Sequence, residues 1–472
     1  NADNNDAFIS KFSTDGEKQW TTLLDSGKDN YFYVSSITTG LDDSIFITGQ
    51  TTGDLTTSSD NIFITKISST GEKQWTQTFG SSEDDDAWAI TTGLDGSIYI
   101  AGETRGDLDG QTNSNADNND AFISKFSTDG EKQWTKLFGS SFEDEAESIK
   151  TGLDGSVYIA GSTHGNLDGQ TNNGDEDAFI TKLSTDGEKQ WTKLIGSSDE
   201  EEGRVLGIGL DGSIYIVGST EGDLDGETNT SNNDPFDYKE DAFISKFSAD
   251  GEKQWTRLIG SSEDDDAWAI TTGLDGSVYI AGETKSNLDG QTNSGDDDAF
   301  ISKFSADGEK QWTKLFGSSA ADAAVLLATG LDGSINVLHG TWDEDSDVGM
   351  QIFLSKFRDN SIKPEVDPVA EFNYQVLDGN GDVLDKLAVL GETIGDDIYG
   401  GVNYTSEYRL DITAASLGEG YSLETADITI EFDADTFEDI VASDIQIGSA
   451  FNVANAVEID NTAGTIRIAA GS

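Results

Sequence analysis

A segment of 55 to 64 residues recurs along this chain, and that recurrence limits the possible folds more than any other feature. Its clearest marker, DAFISKFS-x-DGEKQW with small variations, ends in Trp20, Trp75, Trp134, Trp191, Trp255 and Trp312. A second marker, GLDGS followed by an apolar run, starts at Gly93, Gly152, Gly209, Gly273 and Gly330, with a GLDDS variant at Gly40. Residues 81–104 and 261–284 differ only at Ile98 and Val278, three repeats apart, which points to duplication. Within a unit the apolar period is two, the period of a strand. Asp95-Gly96 and Asp129-Gly130 sit between apolar runs, where glycine accepts the positive φ of a tight hairpin. Each unit therefore reads as four strands: AWAITT, SIYIAGET, DAFISKF and EKQWTKLFG. Four antiparallel strands at this period predict an all-β chain built from propeller blades.

The strand count leaves two arrangements open. The chain opens on third and fourth strands, runs through five complete units, and closes on first, second and third strands ending at Phe357. Six blades result if the two ends complete one another, and seven if a preceding pair of strands is missing. Residues 1–21 repeat residues 115–135, so the sequence starts inside a repeat, and a longer natural chain is expected.

Charge sets the partners. Asp and Glu number 90 against 28 Lys and Arg, a net charge of −62. Such a field repels nucleic acid and anionic membranes and draws in cations. The 35% hydrophobic content and the regular aromatic residues argue for a folded chain over a disordered one. There are no cysteines, hence no disulfides, thiolate metal sites or cysteine nucleophiles. No apolar run is long enough to span a membrane.

The pattern GSS-x-(D/E)-x-A…GLDGSIYIAG-x-T…LDGQTN…DAFISKFS-x-DGEKQW resembles the bacterial SBBP β-propeller repeat and covers residues 1–358. That resemblance implies a propeller and a large secreted or cell-surface bacterial protein, with no single activity. A weaker likeness links TDGEKQW to the quinone-dependent dehydrogenase propeller repeat, where the Trp docks blades together. Pro364 and Pro368 mark a linker over 359–369. Residues 370–472 alternate in period two and read as an Ig-like β-sandwich. Ile428–Asp433, Thr436–Ile440 and Asn461–Ala469 resemble the cohesin-type sandwich, cut short at its C-terminal end. Dockerin recognition does not carry over from so partial a match.

Calcium is the cofactor expected. LDGQTN or LDGETN recurs in four units, offering the oxygen pairs Asp109 with Asn113, Asp168 with Asn172, Asp225 with Asn229, and Asp289 with Asn293. Carboxylate and amide oxygens beside glycine suit a hard cation, although an Asx-turn gives the same string. Asp378, Asn380 and Asp382 in DGNGD offer a second oxygen-rich loop, which a plain hairpin also explains. The acidic runs Glu83–Asp86, Glu143–Glu145, Asp199–Glu202 and Glu263–Asp266 read as solvated loops, since an active site needs one distinct constellation. Trp88, Trp268 and the EKQW tryptophans read as packing between blades. His164 and His339 fall in no ligand pattern, and the insertion Thr230–Glu240 is a place where a partner could bind.

The expected function is a non-catalytic extracellular or cell-surface scaffold for structure or adhesion within a larger chain. Its partners would be another extracellular protein or a glycan, with self-assembly through the unpaired third strand as a further route. The alternative is a carbohydrate-binding or carbohydrate-cleaving propeller with its site at the mouth of the central channel.

Overall fold

In the computed structural model the described residues are 7–13, 17–24, 32–51, 59–115, 118–230, 239–330, 333–342 and 351–357, with strands at 372–377, 409–414, 425–431, 453–460 and 465–471. Every regular element among them is a strand. The chain divides into two compact units, Asn1–Ile362 and Lys363–Ser472. The segment 359–369 and the DGNGD loop with Asp378, Asn380 and Asp382 lie outside the described residues, as do 231–238 of the insertion.

The first unit holds five four-stranded antiparallel sheets, preceded by a two-stranded and followed by a three-stranded sheet. One sheet serves for all: Asp85–Thr92, Ile98–Thr104, Asp120–Phe126 and Lys132–Phe138 pair in sequence order. The second and third strands are buried throughout, as their unbroken apolar runs require. Gly96 and Gly130 take φ of 81° and 84° in the two Asp-Gly turns. The opening pair, Ala7–Phe12 and Lys18–Leu24, forms a sheet separate from the closing strands Ala321–Thr329, Ile335–Trp342 and Gln351–Phe357.

Successive sheets pack face to face. Ile62 and Ile64 of one sheet share a core with Ile98, Ile100 and Phe122 of the next. The fourth-strand tryptophan crosses the same boundary: a Cβ on Gly187 would lie 3.1 Å from the Trp134 ring and one on Gly251 2.9 Å from Trp191. The Asp-Gly turn is thus bare because a neighbouring indole covers it, which explains why TDG and EKQW recur together. A lysine ties the third strand across the boundary as well. Lys182 Nζ donates to Asp154 at 3.0 Å and to the Ala249 carbonyl of the next sheet at 3.0 Å, above the Tyr158 ring. Alanine at Lys182 is expected to cost about 1–2 kcal/mol in urea unfolding, because the Ala249 carbonyl loses its donor and the contact over Tyr158 goes. Asp154, half exposed, keeps its bonds from Ser156. A loss under about 0.5 kcal/mol would show the contact to be incidental. Four-stranded meanders packed face to face, with their first strands side by side, are the blades of a β-propeller.

In the second unit, Phe372–Leu377 pairs with Arg409–Ala414, and Thr465–Gly471 lies between Thr425–Glu431 and Val453–Asp460. All pairings are antiparallel.

Candidate functional site at the inner edge

First strands of consecutive sheets lie side by side. Leu206 N donates to Ser148 Oγ of the preceding sheet at 3.0 Å, Thr272 Oγ1 donates to the Ile208 carbonyl at 3.2 Å, and Thr329 Oγ1 to the Thr272 carbonyl at 2.8 Å. Each first strand also carries a β-bulge against its second strand. The register skips one residue between Val34 and Ser36, Ala87 and Ala89, Ala146 and Ser148, Gly203 and Val205, Ala267 and Ala269, and Ala324 and Leu326. The residues left over are Ser35, Trp88, Glu147, Arg204, Trp268 and Val325. A bulge re-aims the side chain of its extra residue, and here the extra residue changes from sheet to sheet within an otherwise uniform repeat.

A glycine makes the bulge possible. Gly102, Gly161, Gly218 and Gly282 face it from the second strand, and a Cβ there would lie 1.9, 1.8, 1.8 and 1.7 Å from a first-strand carbonyl oxygen. This is the glycine of the IAG-x-T motif.

Around the bulges the side chains converge. The Arg204 guanidinium binds Glu202 and Asp266 and lies 4.0 Å from the centre of the Trp268 ring. Burial opposes its charge, but Asp266 and Glu202 outweigh that and raise its pKa. Burial pushes Glu147 up to about 7, against the pull of Arg204. Burial and the neighbouring Glu145 push Glu103 up to about 8, and burial with Asp266 pushes Glu283 up to about 7. Asp86 faces Glu103 directly across the strands, and Asp266 faces Glu283. Like-charged cross-strand pairs weaken a sheet, so this is a place where the chain departs from the most stable choice. Trp88 Nε1 is buried without a hydrogen-bond partner. The arrangement offers two indoles, one clamped arginine and several carboxyl groups that keep protons near neutral pH. Groups of these kinds can offer hydrogen bonds, charge and a stacking face to a polar ligand.

The sequence-predicted loop residues go elsewhere. Asp109, Asp168, Asp225 and Asp289 adopt left-handed backbone with φ of 53°, 54°, 55° and 52°. Asp109 accepts from Lys132 Nζ at 2.5 Å and Thr135 Oγ1 at 2.5 Å. Asp289 accepts from Lys310 at 2.6 Å, Asp168 from Lys189 and Thr192, and Asp225 from Lys253 and Thr256. The asparagines hold the loop itself. Asn113 Nδ2 donates to the Thr104 carbonyl at 3.0 Å, Asn172 to Thr163 at 2.8 Å, Asn229 to Thr220 at 3.0 Å and Asn293 to Thr284 at 2.9 Å. Each Asp thus pairs with a fourth-strand lysine, while the amide nitrogen of its Asn donates to a backbone carbonyl at the end of the second strand. Among the described residues no three His, Cys, Asp or Glu side chains gather as metal ligands.

The acidic runs correct the sequence reading more sharply. Asp85, Asp144, Glu201 and Asp265 open the first strands and are fully buried, so the ends of these runs are not solvated loop. A Gly-Ser turn allows this, since the Ser140 amide donates to Asp144 at 2.6 Å and Thr163 supplies a hydroxyl. His164 lies 3.7 Å from Glu176, and His339 Nε2 meets Ser355 Oγ at 2.9 Å. No helix is long and apolar enough to cross a membrane among the described residues.

No protein-family model matches the chain. Over 205 residues it is 29% identical to the regulatory protein FlaEY of Caulobacter vibrioides, a match covering 40% of this chain and 22% of that protein. The chain therefore spans about a fifth of the length of this curated relative. Among solved structures it is similar to the Neurospora crassa Pan2 WD40 domain, at 10% identity and a TM-score of 0.38, over 68% of this chain and 78% of that one. It is also similar to a glucose dehydrogenase at 10% identity and a TM-score of 0.36, over 69% of this chain and 96% of that one.

Proposed function

We propose that this chain is a non-catalytic binding scaffold of the cell exterior, an SBBP-type propeller followed by a cohesin-like sandwich, and that it binds its partner at the inner edge of the blades. The supporting observation is the set of bulge residues: a near-uniform repeat places Trp88, Glu147, Arg204 and Trp268 at one structural position in four successive sheets. Acidic groups around two indoles suit a basic segment of another extracellular protein, because a lysine or arginine stacks on indole and pairs with carboxylate. The net charge of −62 would speed the encounter. A role in adhesion or in regulation by binding fits such a scaffold equally.

A lysine- and serine-rich peptide titrated calorimetrically at about 0.15 M salt is the test. Changing both Trp88 and Trp268 to alanine is expected to weaken binding at least about tenfold, the loss of two aromatic contacts. Unchanged affinity would remove the inner edge from consideration. A second reading has one observation in its favour: the unpartnered Trp88 N–H and the protonated carboxyl groups are also donors for sugar hydroxyls. A defined glycan bound by the native chain and lost in the same double variant would favour that carbohydrate-binding reading.

A further inference from the structure

A separate set of acids lies between the blades. Asp120 opens the third strand of one sheet and Asp144 the first strand of the next, and both are fully buried. Asp144 accepts from the Ser140 amide on one oxygen and from the Thr163 hydroxyl on the other. Burial pushes Asp144 up to about 6, and the donors on its two oxygens pull the other way. Asp120 accepts from the Ser114 amide at 2.8 Å on Oδ2, but its Oδ1 has no donor.

Acids also meet at the next boundaries, Asp177 before Glu201, Asp241 before Asp265, and Asp298 before Asp322. Of these first acids only Asp298 keeps an oxygen without a donor, since Asp177 accepts on both oxygens from the Asn173 amide and Asp241 on both from Thr230. At the last, the orphaned Asp298 Oδ1 and Asp322 Oδ2 face each other over Gly317, 2.2 and 3.2 Å from where its Cβ would sit. Asp322 is again saturated, by the Ser318 amide at 2.6 Å and the Thr341 hydroxyl. One boundary differs. Asn61 replaces the first acid, turns its amide nitrogen to the Ser59 carbonyl at 3.0 Å, and presents an orphaned Oδ1 toward Asp85 Oδ2 over Gly80. At the Asp298–Asp322 and Asn61–Asp85 boundaries oxygen therefore lies beside oxygen, whether the first residue is acid or amide. Acceptors opposed in a dry space, with glycine beneath them, need a positive charge between them.

We propose that the buried acid pairs whose first acid keeps an orphaned oxygen, Asp120 with Asp144 and Asp298 with Asp322, are divalent-cation sites of the calcium class, so that the ion joins one blade to the next. The donors are all oxygen, and two carboxylates balance the charge of one ion. Backbone carbonyls and water would complete the shell. The Asn61–Asp85 boundary, with a single carboxylate, holds its ion more weakly.

Calcium itself is the probe, with the full chain stripped by chelator and bound ions counted by equilibrium dialysis at pH 7.5. Asp298→Asn is expected to bind one tightly held ion fewer than the native chain, and Asn61→Asp one more. Asp109→Asn, which alters only the loop contacts with Lys132 and Thr135, should leave the count unchanged. Calcium should also raise the melting temperature of the native chain. The gain-of-site variant keeps the test sharp even if Asp298→Asn folds poorly. Equal counts in the native chain and Asn61→Asp, or a melting temperature that responds to acid but not to calcium, would overturn the proposal in favour of a proton shared by each pair.

Discussion

Alanine at Gly282 is expected to destabilise the first unit by about 3 kcal/mol, the upper end of what overpacking costs. A Cβ there would lie 1.7 Å from the Asp266 carbonyl oxygen, which belongs to the backbone and cannot swing aside. The bulge at Trp268 would have to flatten or the strands to part, and the clamp of Arg204 between Glu202 and Asp266 would go with it. The sign of the effect is informative. Were Gly282 an ordinary strand glycine, alanine would stabilise by about 0.5–1 kcal/mol through reduced chain entropy. Urea unfolding of the single variant decides, and a gain in stability would mean that the glycine does not hold the bulge open. Gly102, Gly161 and Gly218 should behave alike.

Stability should fall as pH rises from about 6 to 8.5 in chelator, opposite to the usual behaviour of carboxylates. Glu103 is pushed up to about 8 by burial and by Glu145, and Glu147 and Glu283 to about 7, chiefly by burial. In the unfolded chain such groups titrate in the ordinary range near 4.3. The folded chain therefore holds protons that the unfolded chain has released. The stability they contribute is complete below the unfolded pKa and is lost as pH rises through 7 and 8. A tenfold gain in proton affinity on folding corresponds to about 1.4 kcal/mol for a buried group. Asp42 works the other way: the Ser44 hydroxyl and Lys66 lower it to about 2, so its contribution is lost only as pH falls towards 2. A maximum between about pH 4 and 6 follows. Self-repulsion of the charged surface would give a similar trend, but about 0.5 M salt screens the surface and not the buried groups. Melting temperatures that stay flat from pH 6 to 8.5 at that salt would contradict the burial of these carboxyls.

The four strands of a unit were legible because their signals are local. The runs AWAITT, SIYIAGET, DAFISKF and EKQWTKLFG match Asp85–Thr92, Ile98–Thr104, Asp120–Phe126 and Lys132–Phe138 to within a few residues. The EKQW tryptophans were legible as packing between blades for the same reason, since periodic indoles must meet periodic partners, and the Trp134 ring does cover Gly187 of the next sheet. The inner edge was not legible. A bulge adds one residue without changing the apolar pattern on either side, so Trp88 and Trp268 read as further packing residues. One signal was present: positions 88, 147, 204 and 268 carry Trp, Glu, Arg and Trp where their neighbours vary much less. The buried acids were missed because composition assigns Asp runs to solvent. Only the structure shows the serine amide and threonine hydroxyl that let Asp144 leave it. The loops at Asp109 and its equivalents were legible as turns. Their lysine partners lie 21 to 28 residues away in sequence, beyond what a local pattern conveys.

The convergence of bulge residues from separate sheets can be measured at one carboxyl group. Glu147 and Arg204 lie in different blades, and Arg204 holds the Glu147 pKa below where burial alone would put it. A carbon-detected NMR titration of the Glu147 carboxyl should give a midpoint near 7 in the native chain and a higher one in Arg204→Gln. A midpoint in the ordinary range near 4.3, unmoved by that substitution, would contradict a common inner-edge site.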